Sequence, residues 1–360
     1  MTIIDTNNLK DNIGKTKIFL GTYSGFQRFD AYQYKFAKQI EAKMRNAFWN
    51  PEEISLVADR VKYPDLPEHA QEILTQNLLF QTLMDSGQAR GLDNILCPMT
   101  TSPEWEAVFR TQAYFEHIHS LTYSHIIREV YPNATKVFDS IKDYPEIQHR
   151  IDSEIAAYDA LVSDEFQLLT DDKKREQILE ILVKVFALEG VKFYVSFLNT
   201  YMINNSYGNK IQGMTRLIKL INFDEDMHVS VFGGLLNILR KTEKEGFVDL
   251  MNSPHYETMV KDTFSDVAKS EINWGKYLMN IGNIPGLTIK VLSNFVNYYV
   301  MDRMNKLKIE TKAVTADDTV QWFETYKNID LDNVAGQESE GLAYQVGIIK
   351  NDIPEGKFKL

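Results

Sequence analysis

Apolar positions recur at helical spacing along most of the chain. In "YKFAKQIEAKMRNAFW" Phe36, Ile40, Met44 and Phe48 follow one another every four residues, which predicts an amphipathic helix ending near Trp49. A second helix is expected from about Pro67, a favoured first-turn residue, to Gly87. A third has Ser102 as N-cap, Pro103 at its first position and Pro132 just beyond its end. Residues 133–162 suggest two helices broken at Pro145. "DDKKREQILEILVKVFALEGVKFYVSFLNTYMI" reads as one long helix with an acidic start, apolar nearly all round in its middle, as a central bundle helix should be. Another is expected over Gln212 to Lys241, and more helix across residues 256–308. No segment joins strand alternation to hairpin turns, and no 20–50-residue repeat is visible. From about Asn328 the pattern stops, and "NIDLDNVAGQESEGLAYQVGIIKNDIPEGKFKL" reads as a flexible tail. The expectation is an all-α chain: an N-terminal arm over 1–25, a helical domain over 26–327 and a tail over 328–360.

Several polar residues interrupt the apolar stripes. Glu116 and His119 are three apart and share a helix face, with Tyr123 one turn further on. Glu225 and His228 repeat the spacing among Ile218, Ile221 and Phe232, which predicts burial. A third such pair, Glu146 and His149, follows Pro145 in a charged segment and reads as solvated. Asp85 falls on the stripe of Leu74 and Leu78, and Glu189 on that of Leu182, Val185 and Phe193. Buried charge is costly unless paired or metal-bound. Taken singly, each acid is best read as half of a salt bridge, with Lys192 the candidate partner for Glu189. Taken together, four helices supply one carboxylate each and two add a histidine three residues on. Carboxylate-bridged dinuclear sites in four-helix proteins use this arrangement. Four carboxylates neutralise two divalent cations, and oxygen donors with imidazole suit iron or manganese.

Composition narrows the alternatives. The 360-residue chain is 44% hydrophobic and 25% charged, an ordinary globular balance. Its net charge of −11 argues against nucleic acid or an anionic membrane as partner. Cys97 is the single cysteine, so neither an intrachain disulfide nor a cysteine-rich metal site can form. Neither a secretion signal nor an apolar run of about 18 residues is present, so a cytoplasmic protein is expected.

The blocks "FWNPEE", "QTLMDS", "EHIHSLTYSHIIR", "ALEGVKFYVSF" and "LINFDEDMH", in this order, resemble the radical-generating small subunit of class I (aerobic) ribonucleotide reductase. The resemblance implies a ferritin-like bundle with extra helices, acting as a homodimer. Asp85, Glu116 and His119 would hold one metal and Glu189, Glu225 and His228 the other, with Glu116 and Glu225 bridging. Iron is the first expectation for the pair and manganese the second. Tyr123 would carry a stable radical formed with oxygen, shielded by Phe193, Phe197 and Ile221. Trp49 and Asp224 would carry the oxidising equivalent outward, and Glu338 and Tyr344 would continue the route into the large subunit, to which the tail docks. Nucleoside diphosphates would be reduced there. The sequence departs from the family pattern at Phe115, His117 and Phe223; His117 and Asp226 turn away from the ligand face. The competing readings are a dinuclear oxygenase, such as a hydroxylase or desaturase, and a non-catalytic metal-storage protein. Neither needs Trp49, Tyr123 or the Tyr344 tail.

Overall fold

The computed structural model describes residues 3–7, 9 and 16–328. Glu338, Tyr344 and the rest of the expected tail beyond Asn328 lie outside the described residues. Ten helices have ten residues or more among those described: α1 Lys35–Asn46, α2 Glu68–Gly91, α3 Pro103–Val130, α4 Asp152–Val162, α5 Asp171–Ala187, α6 Tyr194–Ser206, α7 Gln212–Lys241, α8 Pro254–Ile281, α9 Ile289–Lys306 and α10 Asp318–Lys327. The β pairing among them amounts to one isolated bridge between Phe19 and Thr100.

Four long rods surround the centre: α2, α3, α7 and the continuous run of α5 and α6. Their contacts fix their directions. Gln88 reaches Glu189 while Phe80 meets Phe193, so α2 runs antiparallel to α5–α6. Glu116 meets His228 while His119 meets Asp224, so α3 runs antiparallel to α7. The other helices close the sides: α1 packs on α3 and α7, α4 and α8 on α5, α9 on α8, and α10 on α6, α7 and α9.

Local chemistry sets where the rods begin and bend. The first turn of α7 is capped from outside by Asp59, whose carboxylate accepts from the backbone N–H of Gly213 at 2.9 Å and Met214 at 2.7 Å. A Cβ on Gly213 would lie 2.7 Å from the Ser55 carbonyl, so this approach requires glycine. Between α5 and α6 the chain forms a π-helical turn, Leu188–Lys192, a feature frequent at functional sites. Arg303 of α9 braces it, its Nε donating to the Gly190 carbonyl at 3.2 Å.

Several expectations need correction. The first helix ends at Asn46, and Phe48 lies beyond it, exposed and stacked on Tyr114. The second passes through Gly87 to Gly91. Residues 133–162 form three helical pieces joined by tight turns, not two helices. The long helix from Asp171 is interrupted by the π-helical turn. Ser102 precedes α3 as expected, but its side chain makes no capping hydrogen bond.

Candidate metal centre

Asp85 on α2, Glu116 and His119 on α3, Glu189 in the π-helical turn, and Glu225 and His228 on α7 converge where the four rods meet. All six are completely buried. Their ligand atoms form two overlapping groups: Asp85, Glu116, His119 and Glu225 in one, Glu116, Glu189, Glu225 and His228 in the other. Within each group the atoms lie within 4.8 Å of one another, and Glu116 and Glu225 belong to both. His119 Nδ1 is 3.5 Å from Asp85 Oδ2, 3.6 Å from Glu116 Oε2 and 3.3 Å from Glu225 Oε1. His228 Nδ1 is 3.1 Å from both Glu116 Oε1 and Glu225 Oε2, and 3.7 Å from Glu189 Oε2. Each shared glutamate therefore turns one oxygen toward each histidine.

The electrostatics show how crowded the acids are. Burial, then the neighbouring carboxylates, push Asp85 up to about 8. Burial, Glu116 and Glu225 likewise hold Glu189 well above the carboxylate range. Burial opposes charge on His119 and His228, but the surrounding acids outweigh it and raise both well above an ordinary histidine. Glu225 goes down instead, because His228 and His119 outweigh its burial.

The residues fit a metal pair. Both oxygens of Asp85, Glu116 Oε2, His119 Nδ1, Glu189 Oε2 and Glu225 Oε1 are buried with no hydrogen-bond partner. Leaving that many polar atoms unpaired is expensive, and all of them belong to the residues of the two groups that a pair of hard cations would fill. Lys192 does not offset Glu189: its Nζ lies 2.6 Å from Glu154 Oε1.

Around these ligands the other expected residues are placed as follows. Asp224 Oδ2 sits 3.0 Å from His119 Nε2 and accepts from Trp49 Nε1 at 2.8 Å. With Nδ1 turned to the ligand group, Nε2–H of His119 donates to Asp224, a common support for a ligating imidazole. The Trp49 and His119 rings lie 6.3 Å apart at 24°. Tyr123, one turn beyond His119, is completely buried and its hydroxyl makes no hydrogen bond. Burial, then the charges of Asp85 and Glu225, hold its phenol well above the usual range. Phe193, Phe197 and Ile221 are buried in the same core, and the two phenylalanine rings stack on each other at 5.9 Å. His117 and His149 are exposed. Asp226 faces away, accepting from Tyr194 and pairing with Lys327.

Sequence reasoning missed Gln88 and Gln112, whose amides donate to Glu189 Oε1 at 2.6 and 2.9 Å. The signal was their spacing: Gln88 lies three residues after Asp85, and Gln112 four before Glu116, on the same buried faces.

Comparison with known proteins agrees with this geometry. Residues 28–312 match the family model "Ribonucleotide reductase, small chain". The ribonucleoside-diphosphate reductase 1 subunit beta of Salmonella typhimurium is 30% identical over 356 residues, covering 94% of each chain. The subunit beta of Haemophilus influenzae is 30% identical over 370 residues, covering 98% of this chain and 97% of its own. Among solved structures, the ribonucleotide reductase R2 subunit from Clostridium botulinum superposes with a TM-score of 0.79 at 21% identity, over 91% of this chain and 98% of that one. Streptococcus sanguinis dimanganese(II)-NrdF gives 0.65 at 18% identity, over 83% and 98%. At those identities the structures speak for the fold, while the family model and the near-full-length relatives carry the assignment. This chain belongs to the ribonucleotide reductase small-chain family.

Proposed function

We infer that the chain is the radical-generating small subunit of a ribonucleoside-diphosphate reductase and acts only with a large subunit that binds the nucleotide. The observation that carries this reading is the pair of overlapping ligand groups, with His119 tied through Asp224 to Trp49. Asp85, Glu116 and His119 would hold one metal and Glu189, Glu225 and His228 the other, with Glu116 and Glu225 belonging to both groups. Bound there, iron or manganese would supply one-electron oxidising power drawn from oxygen. The protein's part is to hold Tyr123 within one helical turn of His119, to keep its hydroxyl dry, and to keep reductants away with Phe193, Phe197 and Ile221. Asp224 couples Trp49 to His119 and is the acceptor for the indole proton when Trp49 is oxidised. Beyond Trp49 the route uses Glu338 and Tyr344 of the tail, which docks on the large subunit.

A homodimer is also part of this reading. Tyr114 and Leu121 leave an apolar stripe exposed on α3, and Phe48 stacks on Tyr114 at its edge. A second copy is the natural cover for such a stripe. Two cavities, of about 700 and 390 Å³, give the oxygenase alternative no support, because none of the six candidate ligand residues lines either. Among the described residues, no helix is long and apolar enough to cross a membrane.

The deciding experiment loads the reduced protein with iron or manganese, counts metals per chain, admits oxygen and records electron paramagnetic resonance. Two metals per chain and a tyrosyl signal are expected. A chain that binds no metal pair, or that reduces a nucleoside diphosphate without a large subunit, would overturn the reading.

A further inference from the structure

Glu189 differs from the other ligand carboxylates in how its second oxygen is held. Oε2 has no hydrogen-bond partner and faces the ligand group. Oε1 accepts two amide N–H bonds, from Gln88 Nε2 at 2.6 Å and Gln112 Nε2 at 2.9 Å. By contrast, both oxygens of Asp85 lack hydrogen-bond partners, and Glu116 and Glu225 turn one oxygen toward each histidine, Glu116 Oε1 accepting only a longer bond of 3.4 Å from the same Gln112 amide.

The Gln88 amide is also fixed in orientation. Its Oε1 accepts from the Tyr158 hydroxyl of α4 at 3.0 Å. A flipped amide would set its carbonyl against the Glu189 carboxylate, which can only accept, so that contact fixes the amide and the phenol donates to the Oε1 that remains. Tyr158 is seated by a close approach: a Cβ on Gly91 would fall 2.3 Å from its ring. Gln88, Gln112 and Tyr158 are all buried, so no solvent competes for these bonds.

We propose that Gln88 and Gln112, with Tyr158 locking the former, are positioning residues that restrict Glu189 to one-oxygen coordination. The physical reason is competition for Oε1. A carboxylate beside a cation in a dry interior gains by turning its second oxygen onto the metal, unless that oxygen is already satisfied. Two amide donors satisfy it here. The metal on the His228 side thereby keeps room for a small exogenous ligand of the size of dioxygen or azide. This inference rests on the dinuclear reading of the site and adds to it the selection of an open position.

The test uses the full chain loaded anaerobically with two Fe(II) and titrated with azide, followed by near-infrared magnetic circular dichroism. The wild type binds azide at one of its irons. The double variant Gln88→Leu/Gln112→Leu keeps two irons but loses azide affinity by about tenfold to a hundredfold, the range usual for outer partners of metal ligands. Its ligand-field bands move to those of a higher coordination number. Tyr158→Phe, which leaves both amides but removes the bond that holds Gln88 Oε1, shifts affinity the same way by less. Should the double variant lose iron, Gln112→Leu and Tyr158→Phe are read in its place. Wild-type spectra and azide affinity in variants holding two irons overturn the proposal, even if their melting temperatures fall. A wild type that binds no metal pair overturns the functional reading instead.

Discussion

Two clusters of buried charge lie on either side of the π-helical turn Leu188–Lys192, and they are built on opposite principles. On one side, Lys192 pairs with Glu154 at 2.6 Å and Arg150 pairs with Glu271, two cations for two acids. Arg150 also lies 4.1 Å over the Phe80 ring and 4.8 Å over the Trp274 ring. On the other side, four carboxylates share two imidazoles, with no lysine or arginine among them. The first cluster is balanced in charge as the chain folds, although Arg150 Nε, Glu154 Oε2 and Glu271 Oε2 have no hydrogen-bond partner. The second leaves its ligand atoms without partners and becomes electrically balanced only with protons or metal ions. Burial alone therefore does not mark function. An excess of acid over fixed cation does.

That contrast yields its largest effect at Glu116, which belongs to both ligand groups. Glu116→Ala should reduce the metal content from a pair to at most one ion per chain, measured by elemental analysis after desalting. The metal-free variant should melt no lower than the metal-free wild type, because one crowded carboxylate has been removed. A clear loss of metal-free stability would mean that Glu116 serves as an ion-pair partner, and the two clusters would then be alike. Glu271→Ala should behave in the opposite sense. It strands the Arg150 guanidinium in the core and should cost about 3–5 kcal/mol, the usual penalty for breaking a buried pair. Denaturant melts of the metal-free chain measure this, and the folded fraction should still take up a metal pair.

The two clusters also show how far the sequence could be read. Long helices with sustained periodicity, such as Gln212–Lys241, were legible because burial of one face dictates the pattern. The six buried acids and histidines of the candidate centre were legible for the converse reason, since such residues on apolar stripes break that pattern. Lys192 misled: it lies three residues from Glu189, but the extra residue of the π-helical turn rotates it toward Glu154. Periodicity carries no sign of such a turn. Gln88 and Gln112 escaped notice because neutral amides announce no burial cost, although they occupy the same stripes. The short pieces between Asn133 and Val162 are set by tertiary packing, which no local window contains. Helix α10 drew no expectation of its own, yet Phe323 seats it against Tyr201 and Tyr299, and Lys327 ties it to Asp226.

A smaller effect on stability separates Tyr123 from both clusters. Its hydroxyl is buried and unpartnered, so Tyr123→Phe removes an unsatisfied polar group without opening a cavity. Stability should change by less than about 1 kcal/mol and the metal pair should be retained. The tyrosyl signal formed with oxygen should disappear. A wild-type radical spectrum in Tyr123→Phe would place the radical on another residue and leave Tyr123 as packing.

The smallest effect is expected at the Glu-x-x-His pair that the fold leaves outside the bundle. Glu146 and His149 have the spacing of Glu116–His119 and Glu225–His228, but Pro145 starts a four-residue helix there and both side chains face solvent. His149 Nδ1 lies 2.9 Å from Asp152 Oδ2, with the two side chains 75% and 62% exposed. Water already solvates both partners, so nothing at this pair requires a metal, and exposed ion pairs contribute between about 0 and 1 kcal/mol. His149→Ala should therefore leave two metals per chain and shift stability by no more than about 0.5 kcal/mol. Elemental analysis and a thermal melt suffice to check it. If the metal pair is lost, spacing rather than burial would govern ligation, and the pairs assigned to the centre would have to be exchanged.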